Sequence, residues 1–180
     1  MKIFIIGNKN IDKLGVAKEI IKMNDTLSIA NQFITDKAYD TIDNDSYVKY
    51  VNAADVNLAF KNNALLYITT VNYISHGVTL DSFYNSDIFV MDFIDFNGIT
   101  DKIFETNEIL VVWLDDKVTA YNNSADKKED IQECKYVFDR LENTPYLYFL
   151  NEKPEKISCI VNEYLNADEE EKAEILEENS

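Results

Sequence analysis

The sequence predicts an α/β domain built on a mostly parallel sheet, and three observations carry that prediction. Short apolar runs recur along the chain at Lys2–Ile6 (KIFII), Ile88–Ile94 (IFVMDFI), Ile109–Leu114 (ILVVWL) and Tyr146–Leu150 (YLYFL). Runs that do not alternate apolar with polar belong to strands covered on both faces, as in parallel sheets. Helical patterns lie between them, and parallel strands need such crossovers. The third observation is size: 180 residues, 46% of them hydrophobic, suit one domain with a sizeable core.

Taken in order, Lys2–Ile6 reads as a buried first strand ending at Gly7. A polar loop, 8–13, leads to Gly15 and a helix through Met23, with Val16, Ile20 and Met23 on one face at i, i+4, i+7. Leu27–Thr35 reads as a second strand, and Asp36–Ser46 as polar and irregular. Tyr47–Val51 is a predicted strand and Ala53–Lys61 a helix with Val56 and Phe60 at i, i+4, closed by Asn62-Asn63. Ala64–Val71 is the next strand and Thr79–Tyr84 a short helix. After the core runs at 88–94 and 109–114, Ser124–Leu141 reads as helix, with Ile131, Cys134, Tyr136, Phe138 and Leu141 available for packing. Pro154 marks another helix start, with Ile157, Ile160, Val161, Tyr164 and Leu165 on its apolar face. The acidic tail, 166–180, with Ile175-Leu176 as its lone apolar pair, reads either as an extension of the last helix or, by its charge, as a solvated or frayed end.

Composition excludes several classes of function. The net charge of −16 repels nucleic acid and anionic lipid, and no basic stripe offsets it. Seven acids against Lys172 in the last 15 residues give that segment −6, and the rest still carries −10, so the acidity is general. No apolar run approaches the ~20 residues needed to span a bilayer, and MKIFIIGNKN lacks the features of a signal peptide. Cys134 and Cys159 stand far apart, which predicts no disulfide and a reduced, cytoplasmic compartment. His76, the single histidine, has no cysteine neighbour to build a zinc site with. Sixteen lysines against one arginine, Arg140, together with 20 asparagines and 20 isoleucines, look like AT-rich coding bias, as in viruses, phages and some low-GC bacteria. Lysine places a point charge near phosphate but lacks arginine's bidentate fork.

The segment Gly7-Asn-Lys-Asn-Ile-Asp12-Lys13-Leu14-Gly15 has the spacing of the phosphate-binding loop G-x-x-x-x-G-K-[ST]. Gly7 and Lys13 are in place. Asp12 stands at the second glycine, where its carboxylate repels an anion, and Leu14 replaces the Mg²⁺-holding hydroxyl. Further along, Tyr47–Ile68 is similar to the nucleotide-monophosphate-binding insert of guanylate kinases, and Asp95-Phe-Asn97-Gly98 resembles that family's Asp-x-Gln-Gly. YLYFLN, ending at Asn151, resembles its closing strand and asparagine. In order, 1–165 thus resembles a guanylate kinase-like domain. The resemblance implies a three-layer P-loop nucleotide kinase fold, a small NMP-binding-like lobe at about 35–80, and a lid-like segment at about 119–133.

Position by position, the functional residues implied by the resemblance are depleted. Thr35 matches the monophosphate clamp, but Asp36 and Lys37 stand where arginine is expected. Ser75 and His76 fall where tyrosines contact the same phosphate, and no acid at Leu66–Ile68 reads guanine. The lid offers only Lys127 and Lys128. Lys13 is either a phosphate ligand or a solvated lysine at a helix start. Asp92 and Asp95 are either Mg²⁺ carboxylates or strand-end acids satisfied by backbone donors. Because phosphoryl transfer rests on positioning and positive charge, these losses argue against efficient catalysis. Expected instead is a non-catalytic module that needs no cofactor and binds protein partners, as the inactive domain of membrane-associated guanylate-kinase scaffolds does. A viral origin would add a virion or assembly role. Two alternatives stay open: a divergent nucleoside monophosphate kinase using Mg-ATP with Lys13, Lys37, Lys127 and Lys128, and a nucleotide sensor without turnover.

Overall fold

A computed structural model describes residues 1–8, 10–38, 47–115, 137 and 139–179. The apolar runs become four parallel strands: β1 (Lys2–Gly7), β6 (Ile88–Asp92), β7 (Ile109–Asp115) and β8 (Tyr146–Leu150), in the order β6-β1-β7-β8. Each run divides its side chains between two cores by simple alternation. Phe4, Ile6, Val111 and Trp113 enter one, with Phe89, Met91, Phe93 and Phe96. Ile3, Ile5, Leu110, Val112 and Leu114 enter the other, on the opposite face. There they meet Val16, Ala17 and Ile20 of α1 (Lys13–Met23) and Ile157, Val161 and Tyr164 of a C-terminal helix, α6 (Pro154–Asn166). Unbroken hydrophobicity is therefore a consequence of having a core on each face.

A second sheet forms the small lobe. Its strands are β2 (Gln32–Ile34), β3 (Val48–Tyr50), β4 (Leu65–Val71) and β5 (Ile74–Thr79), in the order β3-β2-β5-β4. The β2–β3 pair is parallel, and β5 runs antiparallel to both neighbours. α2 (Ala53–Lys61) keeps its predicted bounds, with the Asn52 side chain accepting from the Asp55 amide at 2.9 Å. α3 (Leu80–Tyr84) is capped by Thr79.

Several expectations need correction. Leu27–Thr35 is not one strand. Ile29 bridges Ile88 in the central sheet, while Gln32–Ile34 pairs in the small one, so this stretch links the two. The 88–94 run stops being strand at Asp92, where the chain turns into α4 (Phe93–Asn97), followed by α5 (Asp101–Thr106). The acidic tail folds as a separate helix, α7 (Glu169–Asn179), and lays Ile175 and Leu176 on the second core. Of the helix predicted over 124–141, residues 137 and 139–141 are described and helical; the lid-like segment lies outside the described residues. Cys159 is free and exposed, and Cys134 is not described. Among the described residues no helix is long and apolar enough to cross a membrane.

Candidate functional site at the carboxyl ends of the strands

The strand order reverses beside β1, with β6 on one side and β7 and β8 on the other. Such switch points open a crevice at the carboxyl ends of parallel strands. Register puts Gly7 of β1 beside both Asp92 of β6 and Leu114 of β7. The loop that leaves Gly7 then returns as α1, beside Asp92.

In that loop Asp12 is the N-cap of α1, and its Oδ1 accepts from the Gly15 amide at 2.8 Å. A carboxylate of the chain itself thus occupies an amide at the helix start, where an external anion would otherwise bind. Gly15 permits this arrangement, since a Cβ there would lie 2.3 Å from Asp12 Oδ2. Gly7 is equally constrained, with its would-be Cβ 2.7 Å from the Leu114 carbonyl. Leu14 is half-buried against the second core and offers no hydroxyl.

Lys13 is not a solvated lysine; only 6% of it is exposed. Its Nζ lies 2.8 Å from Asp92 Oδ1 and donates to the carbonyls of Asn8 (2.5 Å) and Gly7 (3.3 Å). An ammonium has three donors, so all of them are engaged inside the chain.

Asp95 lies on α4 and not at a strand end, and its partners are mostly side chains. It is 3% exposed. Oδ1 accepts from Thr69 Oγ1 at 2.6 Å and from His76 Nε2 at 3.1 Å. Oδ2 accepts from the Asp92 amide at 3.4 Å, as the acid three residues into a helix does in a capping box. The hydrogen bond to Asp95 raises the His76 pKa above its ordinary value; burial opposes that, and the charges of Asp95 and Asp92 add to it. Tyr67 stands beside the same carboxylates. Burial above all, then Asp95 and Asp92, pushes its phenol well above the usual range. Its buried hydroxyl has no hydrogen-bond partner among the described residues.

The remaining predicted residues are dispersed. Thr35 ties β2 to β5: its Oγ1 accepts from the Ser75 amide at 2.8 Å. Lys37 is exposed beyond β2, and Lys127 and Lys128 lie outside the described residues. Arg140 is directed away from the crevice. Its two terminal nitrogens donate to the carbonyls of Phe96 and Asn97, each at 3.1 Å, and its guanidinium lies 5.3 Å from the Phe104 ring. A neighbouring cleft of about 320 Å³ opens between the loop and the end of β8. Asp12, Asp115 and Glu152 line it together with Ile11 and Phe149, and among the described residues no lysine or arginine does. Among the described residues no cluster of three or more metal-ligating side chains occurs.

Sequence reasoning missed Thr69 and Tyr67, which reach Asp95 only through the folding of the small lobe against α4. The Asp92-x-x-Asp95 spacing was a readable capping signal.

One solved structure with a similar fold is the crystal structure of guanylate kinase from Anaplasma phagocytophilum. It superposes with a TM-score of 0.55 at 12% sequence identity, covering 91% of this chain and 84% of that one. The fold is guanylate kinase-like. No protein-family model matches the sequence, and no curated protein matches it significantly. The guanylate kinase-like fold places the Gly7–Gly15 loop between the first parallel strand and its helix, where the sequence spacing put it.

Proposed function

We infer that this chain is a guanylate kinase-like module that does not transfer phosphate and acts through protein contacts. The observation that carries this reading is the self-satisfied loop: Asp12 holds the Gly15 amide and all three Lys13 donors are engaged. An incoming phosphate would have to displace a carboxylate from the helix start and pull Lys13 from Asp92. Asp12, although exposed, sets like charge against an anion brought to the helix start. Arg140, bound to α4, supplies no charge there. The protein partner belongs to the cytoplasm, or to a virion if the coding bias reflects a viral genome. The alternative is a divergent nucleoside monophosphate kinase. Asp92 favours it: its side chain is partly exposed beside Lys13, where a metal-bound phosphate would sit.

Coupled assays with Mg-ATP and each of GMP, dGMP, AMP, UMP and dTMP test the reading. The expected result is background; turnover of about 1 s⁻¹, the low end for kinases, overturns it in favour of the alternative. Asp12→Gly with Leu14→Thr restores the loop pattern. By calorimetry this variant gains Mg-ATP affinity over the parent, yet it still transfers no phosphate.

A further inference from the structure

Polar atoms buried in a fold are nearly always paired, and an unpaired one costs free energy unless something supplies its partner. Tyr67 carries such an atom. The residue is 3% exposed. Its hydroxyl is closed to solvent and has no hydrogen-bond partner among the described residues.

Register places that side chain on the face of β4 that meets α4. Tyr67 pairs with Val78 and Thr69 with His76, in unbroken register between them. Strand residues two apart share a face, and so do residues directly opposite each other. Tyr67 therefore lies on the same face as Thr69 and His76, both of which already reach the Asp95 carboxylate. A Cβ added to Gly98, which caps α4, would stand 3.7 Å from the Tyr67 Cβ. The charges of Asp95 and Asp92 act on the phenol, in keeping with this placement. The ring belongs to the first core together with Phe93 and Phe96, so close packing, and not the hydroxyl, sets its position.

Asp95 has accepting capacity to spare. A carboxylate offers about four lone-pair sites. Oδ1 uses two of them, on Thr69 Oγ1 at 2.6 Å and His76 Nε2 at 3.1 Å. Oδ2 receives only the Asp92 amide and His76 Nε2, each at 3.4 Å, which is long for such bonds. Asp95 is itself 3% exposed, so bulk solvent does not complete it. Burial and the two nearby acids raise the phenol pKa, which keeps the hydroxyl protonated and a donor. An orphan donor thus stands beside an under-used acceptor. Whatever joins them must accept from a phenol, donate to a carboxylate and fit a site closed to solvent. Water meets all three conditions.

We propose that one buried water is an integral part of this fold, bound between Tyr67 Oη and Asp95 Oδ2 where the small lobe meets α4. It adds a third link from the lobe to Asp95, beside those of Thr69 and His76. Through it the Tyr67 hydroxyl becomes a structural group that phenylalanine cannot replace without loss. The site is independent of whether phosphate is transferred.

A high-resolution crystal structure of the full chain tests the proposal. One ordered water should lie about 2.8 Å from both Tyr67 Oη and Asp95 Oδ2. Tyr67→Phe removes the hydroxyl and leaves the ring, so this variant should keep the Thr69 and His76 contacts to Asp95 and lose that water. Thermal melts give an independent sign. A hydroxyl that holds a buried water contributes stability, and Tyr67→Phe should then lower Tm by about 2–4 °C. An unpaired buried hydroxyl destabilises the fold, and its removal would raise Tm instead. A Tm that stays level or rises overturns the proposal. So does a wild-type structure in which Tyr67 Oη bonds directly to another residue, or in which no water lies between it and Asp95.

Discussion

Asp95 brings a histidine, a threonine and a backbone amide together at one buried carboxylate, and its effect on His76 has a definite sign. The His76 pKa is raised in the fold, chiefly by the Asp95 hydrogen bond. A group whose folded pKa exceeds its unfolded value stabilises the protein fully below the unfolded value, near 6.5, and loses that contribution as pH rises through the folded value. Thermal melts of the wild type and His76→Gln should therefore diverge most below about pH 6.5 and converge as the solution becomes alkaline. A difference that stays flat with pH would mean the contact is held by a neutral imidazole. The pairing was not legible in the sequence, because His76 sits on β5 and Asp95 on α4, nineteen residues later. Local pattern gives the position of each residue; only the docking of two elements makes them neighbours. Asp12 was legible in part. Its repulsion of an anion followed from charge, whereas its cap on Gly15 depended on the turn that precedes α1.

At the scale of elements, α4 shows how a five-residue helix is held in place. Its last carbonyls lack partners within the helix, and Arg140 supplies them from a distant segment, donating to Phe96 and Asn97. The guanidinium also lies over the Phe96 and Phe104 rings. Arg140→Ala should cost about 1.5–3 kcal/mol, the range for hydrogen bonds to a charged group, read as a lower urea midpoint with unchanged slope. Arg140→Lys should recover only part of it, because an ammonium lacks the planar guanidinium that reaches the two carbonyls from separate nitrogens while facing a ring. Full recovery with lysine would reduce the interaction to charge alone. The four central strands were legible because two cores make their sequences uniformly apolar. β5 (ISHGVT) was not, since its histidine and glycine interrupt the pattern and its turn lacks the glycine that announces a hairpin. At the β6–α4 boundary Phe93 and Ile94 continue the apolar run past the strand end, so hydrophobicity hides the boundary and only the Asp92-x-x-Asp95 capping spacing marks it.

Across the whole molecule, acidity and burial compete at the C-terminus. The segment 166–180 carries a net −6 in a chain of −16, which is why it read as a solvated end. The fold instead uses its one apolar pair, setting Ile175 and Leu176 on the second core beside α6 and β8, while Lys172 lies 5.9 Å from the Tyr164 ring. Deleting 168–180 removes both effects, and their magnitudes decide the outcome. Relief of charge repulsion is small, because most of the acids are exposed and screened within about 10 Å at 0.1 M salt. Loss of two half-buried aliphatic side chains costs about 1.5–3 kcal/mol together, half of what full burial would contribute. The truncated chain should therefore melt at a lower temperature than the full chain. Salt sharpens the test, because screening removes what the deletion gains electrostatically and leaves the loss of burial intact. The gap in Tm should widen between about 20 mM and about 500 mM salt, and Ile175→Ser with Leu176→Ser should reproduce most of it without any change in charge. A truncation that melts with the full chain at high salt would show that α7 contributes nothing to the core and that the segment is a solvated end after all.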